Sequence, residues 1–278
     1  MTRYGISTKK RYGQNFLINR AVPERIAQYG CTGDSVGVIE IGPGMGTLTY
    51  ELCKRAKRVV ALEIDETLLP VLSETLGEFD NVKVLLKDVL KTDLSSLCKT
   101  EFPDCEKICV CANLPYYITS PVLTYLLESG APLSSVTVMV QKEVADRLTA
   151  SPGSAEYGAL TAAVGYYGEA KKLFSVSPGS FLPAPKVESA VVRICIHERS
   201  PYADCDPKLL FSLIRTAFGQ RRKTLRNTLR GLLTDREAEA VRKEIERLGY
   251  PPDVRGERLS VSDFADLSRA VTGIRGEG

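Results

Sequence analysis

The chain has 278 residues, about 44% apolar and 26% charged, an ordinary globular composition without the ~20-residue apolar run that a membrane span needs. A single histidine, His197, excludes histidine-based triads and histidine-rich metal sites, so a catalyst here works with amides, carboxylates, aromatic rings or backbone groups. The net charge is only +3, but five basic residues and no acid lie between Met1 and Pro23, and seven and none between Lys208 and Leu233, a distribution that points to a polyanionic partner.

The N-terminal segment 1–23 carries Arg3, Lys9, Lys10 and Arg11 with no apolar core behind them, so it is not a secretory signal, and a cytoplasmic protein is expected. Ser35–Ile41, Arg58–Ile64, Val82–Lys87, Lys107–Ala112 and Ser135–Val140 then read as short apolar strands. Helical patterns such as Leu48–Arg55 and Glu66–Leu76 lie between most of them, and this alternation predicts a doubly wound α/β sheet covered on both faces. Two more strands, Lys171–Val176 and Ser189–Ile196, flank a Pro- and Gly-rich loop, Ser177–Pro185. After a polar break at His197–Pro207 the texture is helical only: Leu209–Phe218, Lys223–Leu232, Glu237–Leu248 and Val261–Val271. Two domains follow, 1–199 and a smaller all-helical 200–278.

The eight cysteines, Cys31, Cys53, Cys98, Cys105, Cys109, Cys111, Cys195 and Cys205, are scattered through a chain too large to need staples, and they read as reduced thiols. Cys109-x-Cys111 lacks the second ligand pair of a zinc site, so no metal is expected.

The first strand runs into Glu40-Ile41-Gly42-Pro43-Gly44-Met45-Gly46 and then a helix. Glycines at such a turn permit positive φ and close approach of a ligand to the backbone, and the unit places a ligand at the strand's C-terminal end. The dinucleotide fingerprint is G-x-G-x-x-G; here the third glycine comes one place early and position 47 is Thr. The loop instead resembles motif I of class I methyltransferases, in which an acid two places before the first glycine is usual. The next strand ends in Glu63-Ile64-Asp65 and the third in Asp88-Val89, carboxylates able to accept from ribose hydroxyls and from an adenine amine.

The fourth strand ends in Asn113-Leu114-Pro115-Tyr116. The lone pair of an adenine amine is delocalised into the ring; two acceptors holding its hydrogens let the nitrogen pyramidalise toward a methyl donor. The Asn113 side-chain carbonyl and the Leu114 main-chain carbonyl can be those acceptors. Pro115 stiffens the turn, and Tyr116 offers a face on which a base stacks at roughly 1–3 kcal/mol. No general base is needed for the methyl transfer itself, because the cationic product sheds its proton readily; the protein's work is positioning and electrostatic stabilisation.

Asn113-Leu114-Pro115-Tyr116 resembles motif IV of the ribosomal RNA adenine N6,N6-dimethyltransferase family. The resemblance covers nearly the whole chain: Gly13–Leu17 is similar to that family's N-terminal cofactor-contacting segment, Gln141–Arg147 to the motif after its fifth strand, Phe181–Ser189 to its second base-stacking loop and Phe218–Leu225 to the start of its RNA-contacting region. It implies S-adenosylmethionine as cofactor, lying against Asn15 and Leu17, with Gly42, Gly44 and Gly46 at its methionine end, Glu63 and Ile64 at the ribose and Asp88 and Val89 at the adenine. It implies that Asn113 and Leu114 hold the target amine while Tyr116 and Phe181 sandwich the base. The implied substrate is a pair of adjacent adenosines in the 3′-terminal hairpin loop of small-subunit (16S) rRNA, each dimethylated, with the pre-30S particle as partner, no membrane, and the enzyme a monomer.

The basic residues complete the expectation. Arg222, Arg226 and Arg230 are spaced to share one face of a helix whose other face carries Leu225, Leu229 and Leu232. Together with Arg221, Lys223 and the N-terminal Lys9, Lys10 and Arg11, they are candidate phosphate contacts. Competing readings are a resistance-type methyltransferase acting on large-subunit rRNA, in which Ile more often follows the Asn; a DNA adenine methyltransferase, in which two prolines usually follow; a non-catalytic ribosome assembly factor; and a dehydrogenase.

Overall fold

The computed structural model describes residues 15–33, 35–220 and 222–276. At its centre is a seven-stranded sheet. Its strands are β2 (Val36–Ile41), β3 (Arg58–Glu63), β4 (Val82–Leu86), β5 (Lys107–Asn113), β6 (Leu133–Gln141), β7 (Gly168–Val176) and β9 (Ser189–Ile196). They lie in the order β4-β3-β2-β5-β6-β9-β7. The first five of that order run parallel, and β9 lies antiparallel to β6. Helices α1 (Ala21–Gly30), α2 (Thr47–Cys53), α3 (Leu69–Leu76), α4 (Leu94–Glu101) and α5 (Thr119–Glu128) alternate with the strands, and α6 (Lys142–Leu148) follows β6. The class I methyltransferase-like α/β architecture expected from the sequence is the one observed.

The central strands are apolar on both faces because helices cover both. All six residues of β2 are buried. Val38, Ile39, Val59, Val60 and Val110 are fully inaccessible to solvent, and each such aliphatic side chain stabilises the fold by roughly 1.5–3 kcal/mol. β2 and β5 are adjacent, whereas the chain proceeds from β2 outward to β3 and β4 before returning. The reversal between β2 and β5 opens a crevice at the carboxyl ends of these strands, the usual ligand position in such sheets.

A two-residue strand, β1 (Phe16–Leu17), pairs antiparallel with β8 (Phe181–Leu182). Ile18 N–H also donates to the Ser180 carbonyl at 2.9 Å. No sequence pattern announces this ribbon, since two residues carry no periodicity.

The chain divides into two compact units: residues up to Ala145 with Ala170–Ile196, and Asp146–Glu169 with residues from His197 onward. The helical unit therefore takes in 146–169 as well as the expected C-terminal part. The cause is burial: Tyr157, Ala162 and Tyr166 share one apolar cluster with Leu210, Leu213, Ile214 and Phe264. Hydrogen bonds reinforce it, from the Tyr157 hydroxyl to the Leu259 carbonyl (2.9 Å) and from Gly153 N–H to the Glu257 carbonyl (2.7 Å). Its elements include α7 (Ala159–Tyr167), α8 (Pro207–Gly219), α9 (Leu225–Leu229), α10 (Asp235–Arg247) and α11 (Val261–Gly276).

The helix expected over 223–232 is only α9. Thr224 caps it, accepting from Asn227 N–H at 3.4 Å, so Arg222 and Lys223 precede the helix. Arg222, Arg226 and Arg230 thus do not form one continuous helical row: Arg226 is within α9 and Arg230 is its C-terminal cap.

Candidate active site

Four strand ends and the β1–β8 ribbon surround a cavity of about 310 Å³. Its lining includes Asn15 and Leu17, Gly42 and Gly44, Glu63 and Ile64, Asp88 and Val89, Asn113, Leu114 and Tyr116, and Phe181. Residues chosen from six separate sequence segments thus border one space.

Gly42 and Gly44 have φ of 68° and 59°, a region costly for any side chain. A Cβ on Gly42 would meet no atom within 4 Å, leaving the backbone open to a ligand. Gly46 behaves differently and is not part of the lining. It sits at the N-terminus of α2 with φ 82°, and a Cβ there would lie 3.2 Å from Leu72 and Thr75. The absence of a side chain at Gly46 thus also lets the loop pack against α3.

The Glu63 carboxylate terminates β3. Its Oε1 accepts from the N–H groups of Ile64 (2.8 Å) and Asp65 (2.9 Å), and its Oε2 from Gly44 N–H (3.3 Å). Burial pushes its pKa up, and the three amide bonds pull it back. The glycine-loop amide that would greet a pyrophosphate is thus already donated to a carboxylate, which disfavours a dinucleotide. Asp88 sits at the equivalent end of β4, its Oδ1 accepting from Leu90 N–H at 3.0 Å.

Glu40, the acid two places before the first glycine, lines the cavity and is 1% exposed. Its Oε2 has no hydrogen-bond partner among the described residues. Burial, with a further push from Glu63, raises its pKa to about 8, against the opposing Thr49 hydroxyl. An orphaned carboxyl oxygen at this depth, close enough to Glu63 to feel its charge, suits a ligand that brings hydrogen-bonding groups into the cavity.

At the other side of the crevice, Asn113 Nδ2 donates to the Asn15 carbonyl at 3.5 Å. With its nitrogen engaged there, the side-chain oxygen is the atom free to accept. Leu114 is buried, and its carbonyl precedes Pro115. The Tyr116 ring is half-buried and its hydroxyl lies 2.7 Å from the Ser189 hydroxyl; burial raises its pKa, with Ser189 opposing. Phe181 is only 3% exposed and packs with Leu17 and Val176, bordering the cavity from the ribbon.

Arg222, Lys223 and Arg226 are exposed on the helical unit and form no ion pair among the described residues. Lys9, Lys10, Arg11 and Arg221, also expected to contact RNA, lie outside the described residues, as do Gly13 and Gln14. No cluster of three or more His, Cys, Asp or Glu among the described residues could hold a metal ion. Cys31, Cys53, Cys98, Cys109, Cys111 and Cys205 are buried and Cys195 is exposed; burial raises the Cys53 pKa to about 12, keeping that thiol protonated and unreactive.

The family model for ribosomal RNA adenine dimethylases matches residues 5–269. The chain belongs to the ribosomal RNA adenine dimethylase family. Among relatives of this family member, the ribosomal RNA small subunit methyltransferase A of Geobacillus thermodenitrificans is 46% identical over 98% of this chain and 93% of its own length. That of Bacillus pumilus is 45% identical over 98% and 94%. Among solved structures, a dimethyladenosine transferase from Plasmodium falciparum superposes with a TM-score of 0.76 at 26% identity, covering 91% of this chain and 95% of its own. The 23S rRNA methyltransferase ErmE gives 0.73 at 25% identity, covering 93% and 100%. The chain is thus a methyltransferase-family enzyme of the α/β fold with a helical C-terminal part.

Proposed function

We propose that this protein transfers methyl groups from S-adenosylmethionine to N6 of two adjacent adenosines in the 3′-terminal hairpin loop of small-subunit rRNA, giving N6,N6-dimethyladenosine. It does so as a monomer in the cytoplasm, on the pre-30S particle, with the α/β unit carrying catalysis and the helical unit, together with the basic N-terminal segment 1–23, making the RNA contacts. The observation that carries the reading is that Asn113 and Leu114 border the same cavity as Gly42, Gly44, Glu63 and Asp88. The near-complete match to relatives named for the small-subunit reaction supports the choice of substrate.

S-adenosylmethionine, when bound, supplies an electrophilic methyl group on a sulfonium sulfur. Asn15 and Leu17 would cover it from the ribbon side, and Gly42 and Gly44 would give backbone access to its methionine end, with Glu40 lining the same cavity. Glu63, with Ile64 beside it, receives the ribose hydroxyls, and Asp88, with Val89, the adenine amine. Across the crevice, the Asn113 side-chain oxygen and the Leu114 carbonyl hold the two hydrogens of the target amine and turn its lone pair toward the donor. Tyr116 and Phe181 clasp the target base. The proton of the methylated amine leaves to water, so no side-chain base is required. Arg222, Lys223, Arg226 and the N-terminal Lys9, Lys10, Arg11 with Arg221 contribute phosphate contacts.

The test is incubation of the purified protein with labelled methyl donor and unmethylated small subunits, followed by nucleoside analysis. N6,N6-dimethyladenosine in the small subunit is the expected product. Monomethyladenosine only, or label in the large subunit, would overturn the assignment.

A further inference from the structure

We propose that Tyr117 is a substrate-positioning residue that stacks the second of the two adjacent adenosines while the first occupies the pocket, a role that rests on the function proposed above. Tyr116 and Tyr117 belong to the single 3₁₀ turn Tyr116–Ile118 that follows β5. In such a turn successive side chains diverge by about 120°, so neighbouring tyrosines face different surroundings. Tyr116 is half-buried and tied to Ser189. Tyr117 borders the same cavity but is 59% exposed, which puts its ring at the rim. Among the described residues it has no hydrogen-bond, ion-pair or ring partner. An aromatic ring at the mouth of a nucleic-acid site, open to water on its face, is a surface on which a base can stack.

The occupant follows from the strand order. The other exposed apolar side chains lining the cavity, Ile64 and Leu90, come from the ends of β3 and β4, on the side of the glycine loop that holds Glu63 and Asp88. Tyr117 comes from β5, on the opposite side of β2, next to the acceptors for the target amine. A base covalently joined to one already held between Tyr116 and Phe181 can be no farther away than one sugar–phosphate link, and the rim beside Tyr116 is within that reach. The face of a tyrosine ring accepts any base by stacking. Tyr117 therefore offers the neighbouring base a stacking face, and it keeps the second adenosine at hand after the first is methylated.

The test crosses protein variants with RNA variants. Small subunits are reconstituted with rRNA whose 3′-terminal hairpin, ligated from synthetic RNA, carries either two adjacent adenosines or one adenosine beside an abasic nucleotide at either position. On the paired-adenosine particle, Tyr117→Ala should raise KM by about 5- to 150-fold with kcat nearly unchanged, and Tyr117→Phe should stay close to the wild type. Tyr117→Leu, which keeps apolar bulk without a ring face, should follow the Ala variant and replaces it if Ala fails to fold. On the particle whose stacking neighbour is abasic, the wild type should lose the same factor and Tyr117→Ala should lose nothing more. Unchanged KM for the Ala and Leu variants, or equal impairment on every particle, would overturn the role of Tyr117. Wild-type protein that labels no adenine N6 on any particle would instead remove the parent reading and this one with it.

Discussion

The Tyr116 hydroxyl and the Ser189 hydroxyl lie 2.7 Å apart, joining the turn after β5 to the first residue of β9. Ser189 is fully buried, so the bond holds the Tyr116 ring from a fixed point two strands away in the sheet, and the ring's attitude toward a bound base depends on it. A buried hydrogen bond of this kind is worth about 1 kcal/mol. Ser189→Ala should lower kcat on small subunits by about 5-fold while leaving affinity for S-adenosylhomocysteine unchanged. Steady-state kinetics beside calorimetric titration check this; equal loss in both would place Ser189 in the fold rather than in base positioning.

Asn113 supplies one of the two acceptors for the target amine. Removing one preorganised hydrogen-bond group at a reacting centre typically costs about 10²- to 10³-fold in rate. Asn113→Ala should therefore slow methyl transfer by that factor yet bind small subunits nearly as the wild type does. Filter binding alongside single-turnover methylation separates the two, and parallel loss of binding would count against the assigned role.

Gly42 and Gly46 should fail differently when replaced by alanine. Both have positive φ, a strain of order 1–3 kcal/mol for other residues. Only Gly46 also meets packed side chains, Leu72 and Thr75 at 3.2 Å. Gly46→Ala should lower the melting temperature more, whereas Gly42→Ala should chiefly weaken S-adenosylhomocysteine binding, by roughly 10-fold or more, the equivalent of about 1.4 kcal/mol. Thermal melts and calorimetry on both variants decide the matter.

Glu40 imposes a pH dependence on stability. Its folded pKa of about 8 lies above the ordinary 4.5, so across that interval the folded chain keeps a proton that the unfolded chain has released. Stability must fall as pH rises through this window, by roughly 1.4 kcal/mol for each pH unit, and level off above it. Glu40→Gln stays neutral at every pH and removes this contribution. The variant's melting temperature should therefore decline less than the wild type's between about pH 6 and pH 8.5; identical slopes would show that Glu40 is ionised throughout.

The exposed cations of the helical unit should act through charge alone. Each phosphate contact contributes about 0.7 to 0.9 to the slope of log affinity against log salt. Replacing Arg222, Lys223 and Arg226 together by alanine should reduce that slope by about 2 to 3 and leave kcat at saturating substrate unchanged. Gel-shift titrations over a range of salt measure it, and an unaltered slope would exclude these residues from the RNA surface.

The residues at the ends of β2, β3, β4 and β5 were legible in the sequence by themselves. Each combines a β-type apolar run with a chemically distinct tip: the glycines at 42–46, Glu63, Asp88 and Asn113–Tyr116. In a parallel sheet with helical crossovers, all such tips emerge at the same edge, so local pattern and chain order suffice to gather them. What needed tertiary structure was set by contacts between distant segments. Phe16–Leu17 and Phe181–Leu182 are too short to announce a strand, and only their pairing brings Asn15 and Leu17 to Phe181. The segment 146–169 joins the helical unit because Tyr157 and Tyr166 bury against residues far along the chain. Arg222 leaves the helical row because Thr224 is a better cap than any residue before it. Neighbours brought in by the fold pack against Gly46, and burial beside Glu63 raises the Glu40 pKa; no residue's name reveals how much water will be taken from it.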